Sequence, residues 1–229
     1  MKAPSPELDV LRISVRPSPA TGDHEVCLRT GSDDLISCSG DGLIGMDPDD
    51  LLIAPSPLLP SASAVETTIG RCDCGIVDCG SVAVTILRAA NIVSWTTQRR
   101  WVGVSFDAEQ YEAEVGRAVR DHSWETPDRT AARLIRTGIV GASLSQHGLR
   151  FCWASGRVAA STMTIALEYT PGPTQVLLHV DWPDGDPRSI ADRCLQLLSE
   201  APPTWPNVRW IPQGHDLGKP RIAGSGWTS

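Results

Sequence analysis

The chain has 229 residues, of which 41% are hydrophobic, and it carries a formal net charge of −7 with an isoelectric point near 5.2. This length and composition can bury enough apolar surface for one large domain or two modest ones. The negative charge argues against general binding to nucleic acid, because the phosphate backbone favours Lys and Arg. A basic protein partner or a small ligand fits the charge better.

The sequence also predicts the cellular compartment of the protein. Residues 1–6 lack the apolar stretch of a secretory signal, and no apolar run approaches the roughly 18 to 20 residues that span a bilayer. The seven cysteines are an odd number in a chain of this size. We therefore expect a cytoplasmic protein without a membrane span, in which paired disulfides do not carry the fold.

Short strand-like runs separated by Gly, Pro, Ser and Asp fill residues 8–106. Apolar residues alternate over 11–15, recur at 26–28 after a turn at 21–23, and return at 92–95. These patterns predict an antiparallel, β-rich amino-terminal half.

Two connecting segments in this half have other predicted roles. Three aspartates within 47–50 suggest a cation site, but they lack the spacing and closing Glu of a calcium loop, so a capped helical turn is the better prediction. Residues 55–64 read as an extended connection that Leu58 and Leu59 attach to the core.

Three thiols are concentrated within eight residues, at Cys72, Cys74 and Cys79. If 65–71 and 81–87 form an antiparallel hairpin, a loop at 75–78 sets Cys74 opposite Cys79. Side chains on a strand alternate between its two faces, so Cys72 would share a face with Cys74. The sequence therefore predicts that three sulfur atoms converge at one hairpin end.

A cluster of three thiolates would suit Zn²⁺, which prefers four N or S ligands in a tetrahedron. The fourth ligand must come from elsewhere, and the sequence does not choose among Cys38, Cys27, Cys152 and His24. The spacing lacks the paired C-x₂-C elements of a zinc ribbon. Two other interpretations stay open: a reduced turn whose thiols pack as small apolar groups or oxidise, and a redox or catalytic thiol.

The periodicity changes to helical after residue 106, and we predict a pair of helices near 107–137. Asp107 can cap the first helix with Gln110 three residues on, while Phe106 and Tyr111 form the apolar pair of a hydrophobic staple. Pro127 starts the second helix, which should end near residue 137.

The remainder of the chain predicts a three-stranded antiparallel meander over 149–154, 157–169 and 175–182, with a turn at 171–173. Asp186 and Pro187 then begin a third helix whose apolar stripe includes Cys194. From residue 202 the chain is rich in Pro and Trp, and we expect this tail to lie across the surface without adding a layer. Its large side chains should anchor it, namely Trp205, Trp210 and Trp227.

The predicted fold class is therefore α+β. We divide the chain into a β-rich part with the cysteine hairpin, 1–106, and a second part, 107–229, that holds the helical pair, the meander, the third helix and the tail, the two forming one compact body.

Three stretches resemble an uncharacterised family of bacterial proteins from GC-rich genomes: the GMDP run within 45–52, the CxCGxxxCG hairpin within 70–80, and the PRIAGSGW segment at 220–227. No activity is assigned to that family, so the resemblance implies no catalytic residue.

For function, no nucleophile elbow, Walker loop, dinucleotide fingerprint or HExxH element occurs. Our first hypothesis is a non-enzymatic interaction protein with an acidic surface, one version being an immunity-type inhibitor of a basic toxin. The alternatives are an enzyme that uses Cys72, Cys74 or Cys79, and a purely structural zinc-stapled domain.

Overall fold

The computed structural model describes residues 8–18, 23–74, 79–97, 103–172, 174–214 and 218–229. The loop expected at 75–78, residues 21 and 22 of one expected turn and Pro173 of another lie outside this part of the chain. The described chain combines helices with strands in three antiparallel sheets, so the α+β prediction is confirmed. It divides into two compact units, Met1–Trp124 and Glu125–Ser229.

The first unit contains one sheet in the order β1-β2-β3 and another in the order β4-β5-β6-β7-β8. The strands of these sheets are β1 (Leu11–Pro17), β2 (His24–Thr30), β3 (Asp33–Asp34), β4 (Leu43–Gly45), β5 (Val65–Cys72), β6 (Ser81–Ala89), β7 (Ile92–Thr96) and β8 (Val104–Asp107). Its helices are α1 (Pro48–Leu51) and α2 (Ala108–Arg120).

The connecting segments follow the sequence patterns in most respects. The Asp47 carboxylate accepts a hydrogen bond from the Asp49 N–H at 2.9 Å, so the aspartate run begins a capped helical turn, as predicted. In the connection that follows, Leu58 is fully buried whereas Leu59 is 47% exposed. Only the first of these two leucines attaches the segment to the core.

Helix α2 begins as its sequence predicts. The Asp107 carboxylate accepts a hydrogen bond from the Gln110 N–H at 3.0 Å, and the rings of Phe106 and Tyr111 lie 5.4 Å apart. The Tyr111 hydroxyl accepts a hydrogen bond from the Trp95 indole and donates one to the Leu58 carbonyl. The division after residue 106 assigns α2 to the second part, whereas its apolar face lies in the core of the first unit.

Polar side chains of α2 cover the edge of β1 that does not pair with β2. The Gln110 amide exchanges hydrogen bonds with the N–H and C=O of Leu11. One turn further along the helix, the Glu114 carboxylate accepts a hydrogen bond from the Ile13 N–H at 2.7 Å, and Arg117 donates one to the Ile13 carbonyl. These side chains replace a neighbouring strand and satisfy an edge that would otherwise be open to pairing.

The second unit is one four-stranded antiparallel sheet with helices. Its elements are α3 (Pro127–Gly138), α4 (Gly141–Ser145), β9 (Leu149–Ala159), β10 (Thr162–Tyr169), β11 (Thr174–Asp181), α5 (Pro187–Ser199) and β12 (Val208–Pro212). Strands β9, β10 and β11 form the predicted meander. The tail adds no layer but adds a fourth strand to the predicted three, because the backbone of β12 pairs with β11 from Thr174↔Pro212 to Leu178↔Val208.

A bulge in β9 changes which side chains face the core. On β10 the adjacent residues Ala166 and Leu167 pair with Trp153 and Phe151, which leaves Cys152 as the extra residue. The simple alternation predicted for this strand therefore breaks at Cys152, and Trp153 is 39% exposed.

The tail is anchored by tryptophans, as predicted. The rings of Trp205 and Trp227 stack with centroids 6.2 Å apart, and both side chains belong to the second core. Cys194 is fully buried in the same core and fills space on the apolar face of α5. Within the described residues, no helix is both long and apolar enough to cross a membrane.

The buried Glu114 gives a test of how α2 is attached. Burial alone would raise the pKa of this carboxyl group, but hydrogen bonds from Arg117 and from the Ile13 N–H outweigh it, and the pKa lies below its ordinary value of 4.5. We expect Glu114→Gln to lower the free energy of unfolding by about 1 to 3 kcal/mol at neutral pH, since a hydrogen-bonded charge is lost.

The depressed pKa also fixes the pH dependence. The stabilisation is complete above the unfolded value near 4.5 and is lost as the pH falls through the lower folded value. Urea denaturation at several pH values should therefore show the difference between wild type and Glu114→Gln shrinking below that value. The exposed Glu109→Gln is the matched control on the same helix, and a constant difference across the pH range would contradict the assignment.

Candidate metal centre

The three clustered thiols sit at the end of the hairpin formed by β5 and β6. The strands pair antiparallel from Val65↔Ile86 to Arg71↔Ser81, which confirms the predicted hairpin. Val82 and Val84 on β6 are buried in the core of the first unit. Burial of one face fixes the register, because a slip by one residue would expose every apolar side chain on that strand.

The structure places all three sequence-predicted ligands together. The sulfur atoms of Cys72, Cys74 and Cys79 lie within 4.8 Å of one another. However, β5 ends at Cys72, so Cys74 belongs to the turn and not to the strand. The sulfur atoms of Cys72 and Cys74 come close because residues 73 and 74 form a turn. In this turn the Cys74 N–H donates a hydrogen bond to the Cys72 sulfur at 3.4 Å.

Backbone hydrogen bonds hold this end of the hairpin from both sides. The Cys72 N–H donates to the Gly80 carbonyl at 2.8 Å, and the Asp73 N–H donates to the Gly42 carbonyl at 3.1 Å. Leu43 of β4 pairs with Cys72 in the same sheet. Gly42 has a φ of +69°, a left-handed conformation that glycine adopts without steric cost. The thiol-bearing segment is therefore fixed by β6 on one side and by the 40–43 turn on the other.

The electrostatics of the cluster favour a cation. Contacts with the Cys74 and Cys72 thiols raise the pKa of Cys79 to about 11, because neighbouring sulfurs hydrogen bond to its protonated form and repel its thiolate. The Cys72 sulfur also lies 3.8 Å from a carboxylate oxygen of Asp73. Three thiolates this close together repel one another, and a cation among them would offset that repulsion.

The donor set is that of a soft or borderline metal ion. Thiolate sulfur binds Zn²⁺ at about 2.3 Å, and binding displaces the thiol protons. Cys74 and Cys79 are exposed and Cys72 is half-buried, so an ion can reach them from solvent. The Cys74 N–H directed at the Cys72 sulfur would further stabilise a thiolate there.

The four candidates for a further ligand have different surroundings. Cys27 is buried in β2, and burial raises the pKa of its thiol. The His24 ring lies beside the Asp23 carboxylate and the ring of Trp124. Cys152 lies on β9 of the second unit, and Cys38 is exposed in a short 3₁₀ helix, Ser37–Ser39. None of these four described residues belongs to the group of sulfurs within 4.8 Å.

Two features of the site could not be predicted from the sequence. The 40–43 turn contacts Asp73 through a backbone hydrogen bond, and Asp73 lies beside the Cys72 sulfur. The Gly40-Asp41-Gly42 run signals a turn, but no local pattern shows what that turn touches. Cavities of about 70, 290 and 750 Å³ occur among the described residues, and none of these three is lined by the clustered cysteines.

Comparisons with protein-family models, with curated proteins and with solved structures gave no match for this chain.

Exposure of the thiols predicts a pattern of chemical labelling. In reduced, metal-free protein, iodoacetamide should modify the exposed Cys74, Cys79 and Cys152 without denaturation, although the raised pKa values of Cys79 and Cys152 leave less of the reactive thiolate at those two sites. Cys27 and Cys194 should react only after denaturation, because both are buried. Peptide mass spectrometry reads each site separately. Rapid native labelling of Cys194 would contradict the core described above, and slow labelling of Cys74 would contradict the exposed hairpin end.

Proposed function

We propose that the protein is a metal-stapled, non-enzymatic interaction module that acts in the cytoplasm and binds Zn²⁺ through Cys72, Cys74 and Cys79. The observation that carries this proposal is the convergence of the three sulfur atoms to within 4.8 Å at an exposed hairpin end. The described backbone places the three thiols close enough to one another to share one ion.

A structural ion suits this position in the fold. The cysteines lie where the hydrogen-bonded strands end, and an ion there would join β5 to β6 beyond their last paired residues, Arg71 and Ser81. In small zinc domains, binding supplies about 10 to 16 kcal/mol of apparent free energy at neutral pH.

The charge of the hairpin end supports a basic protein as the partner. Three thiolates and one Zn²⁺ leave a net charge of about −1. The exposed carboxylates of Asp41 and Asp73 add to it, since Asp41 lies in the turn that contacts Asp73. The whole chain carries −7. Complementary charge speeds and selects encounters with basic proteins, and an immunity-type inhibitor of a basic toxin is one concrete form of this function.

Metal content tests the first half of the proposal. Protein purified without a His tag from zinc-containing medium should contain about one zinc per chain by elemental mass spectrometry, as a single tetrahedral site requires. Cys74→Ser should lose most of this metal, because it removes one thiolate. Cys152→Ser is the matched control for loss of an exposed cysteine and should keep the metal. Wild-type protein that is reduced, folded and free of metal would overturn the proposal.

Partner binding tests the second half. A basic protein captured from cell extract at low salt should bind about two- to fivefold more weakly to Asp41→Asn, since one exposed charge at a rim contributes a few tenths to one kcal/mol. Asp192→Asn removes another exposed carboxylate, on α5, and serves as the control. The difference should vanish at high salt, where screening is strong. Equal weakening in both variants would place the binding surface away from the hairpin end.

A further inference from the structure

The turn that follows Cys38 lies directly against the thiol-bearing segment. The Gly42 carbonyl accepts a hydrogen bond from the Asp73 N–H at 3.1 Å, between two of the clustered cysteines in sequence. The next residue, Leu43, pairs with Cys72. The chain from Cys38 to Leu43 is therefore tied to the metal centre at its carboxyl end.

Cys38 itself is presented at the surface by buried neighbours. Ile36 and Ser39 are each 3% exposed, and the Ser39 hydroxyl donates a hydrogen bond to the Leu35 carbonyl. Cys38 projects from this short 3₁₀ helix and is exposed. Its thiol is therefore available, whereas that of Cys27 is enclosed in the core.

The segment between Cys38 and Gly42 is short and contains two glycines. Four residues of chain lead from Cys38 to Gly42, and they span at most about 14 Å even when fully extended. Gly40 and Gly42 adopt φ values of +155° and +69°. Glycine passes between such conformations at low steric cost, and the 3₁₀ helix has no side-chain hydrogen bond at its amino-terminal cap.

We propose that Cys38 supplies the fourth thiolate of the metal centre. Cys38 and the turn that follows it move towards the three clustered sulfur atoms when the ion binds. This inference rests on the proposed function, since it completes the same site. The ion then has four sulfur ligands and no open position, which is the arrangement of a structural and not a catalytic zinc site. It ties the turn after β3 to the β5–β6 hairpin, so that two separate segments of the first unit are fixed together.

Cobalt substitution tests this ligand directly. Reduced full-length protein is titrated with Co²⁺ and then with Zn²⁺, and the sulfur-to-cobalt charge-transfer band reports the number of thiolates. We expect Cys38→Ser to lose about a quarter of this band, as one of four sulfurs is removed. Its dissociation constant for Zn²⁺ should rise at least about tenfold, the loss that removal of even an outer partner of a ligand brings. Cys152→Ser should match wild type in both measurements.

A second measurement needs no variant. Zinc should protect Cys38 from iodoacetamide together with the three clustered cysteines, while the exposed Cys152 still reacts. A Cys38→Ser protein with the wild-type band and affinity, or a Cys38 that labels freely in the zinc-loaded chain, would overturn this inference alone. Failure of the wild-type protein to bind either ion would instead overturn the proposed function.

Discussion

The pairing of β5 with β6 is the constraint on which the candidate centre depends. The ladder that buries Val84 and Ile86 in the core shifts its register at Ile69 and then continues to Arg71↔Ser81, one residue short of the first clustered cysteine. Because burial fixes the register, it also fixes where the chain leaves each strand. Apolar packing along β5 and β6 thus determines the positions of Cys72 and Cys79 at the hairpin end. The geometry of the site depends on the core of the first unit.

In the first unit, backbone N–H and C=O groups at a strand edge and at a strand end are satisfied by a helix and by a turn. Along β1, helix α2 supplies Gln110, Glu114 and Arg117 in place of a strand. At the end of β5, the carbonyl of Gly42 takes the N–H of Asp73. Both devices satisfy polar groups without adding a strand. A metal ion at the hairpin end would do the same for sulfur atoms, since it would replace mutual repulsion between thiolates with a shared bond to a cation.

The features that could be predicted from the sequence are those with local causes. The cap of α2 by Asp107, the β5–β6 hairpin and the three neighbouring thiols each follow from residues close in the chain. The rest depends on partners far away in sequence. Strand β12 pairs with the edge of β11, and Trp153 turns outward next to the bulge in β9. The position of Cys74 beyond the strand reflects a turn whose hydrogen bonds no alternation pattern describes.

The charge of the hairpin end links the two halves of the proposed function. Without an ion, contacts with Cys74 and Cys72 raise the pKa of Cys79 to about 11, so this thiol stays protonated and uncharged at neutral pH. Binding of a divalent ion displaces the thiol protons, and the negative charge of the resulting thiolates exceeds the positive charge of the ion. The loaded end is therefore more negative than the empty one, beside the exposed Asp73. A basic partner that prefers the loaded end must strengthen metal binding by the same factor, because such coupling is reciprocal.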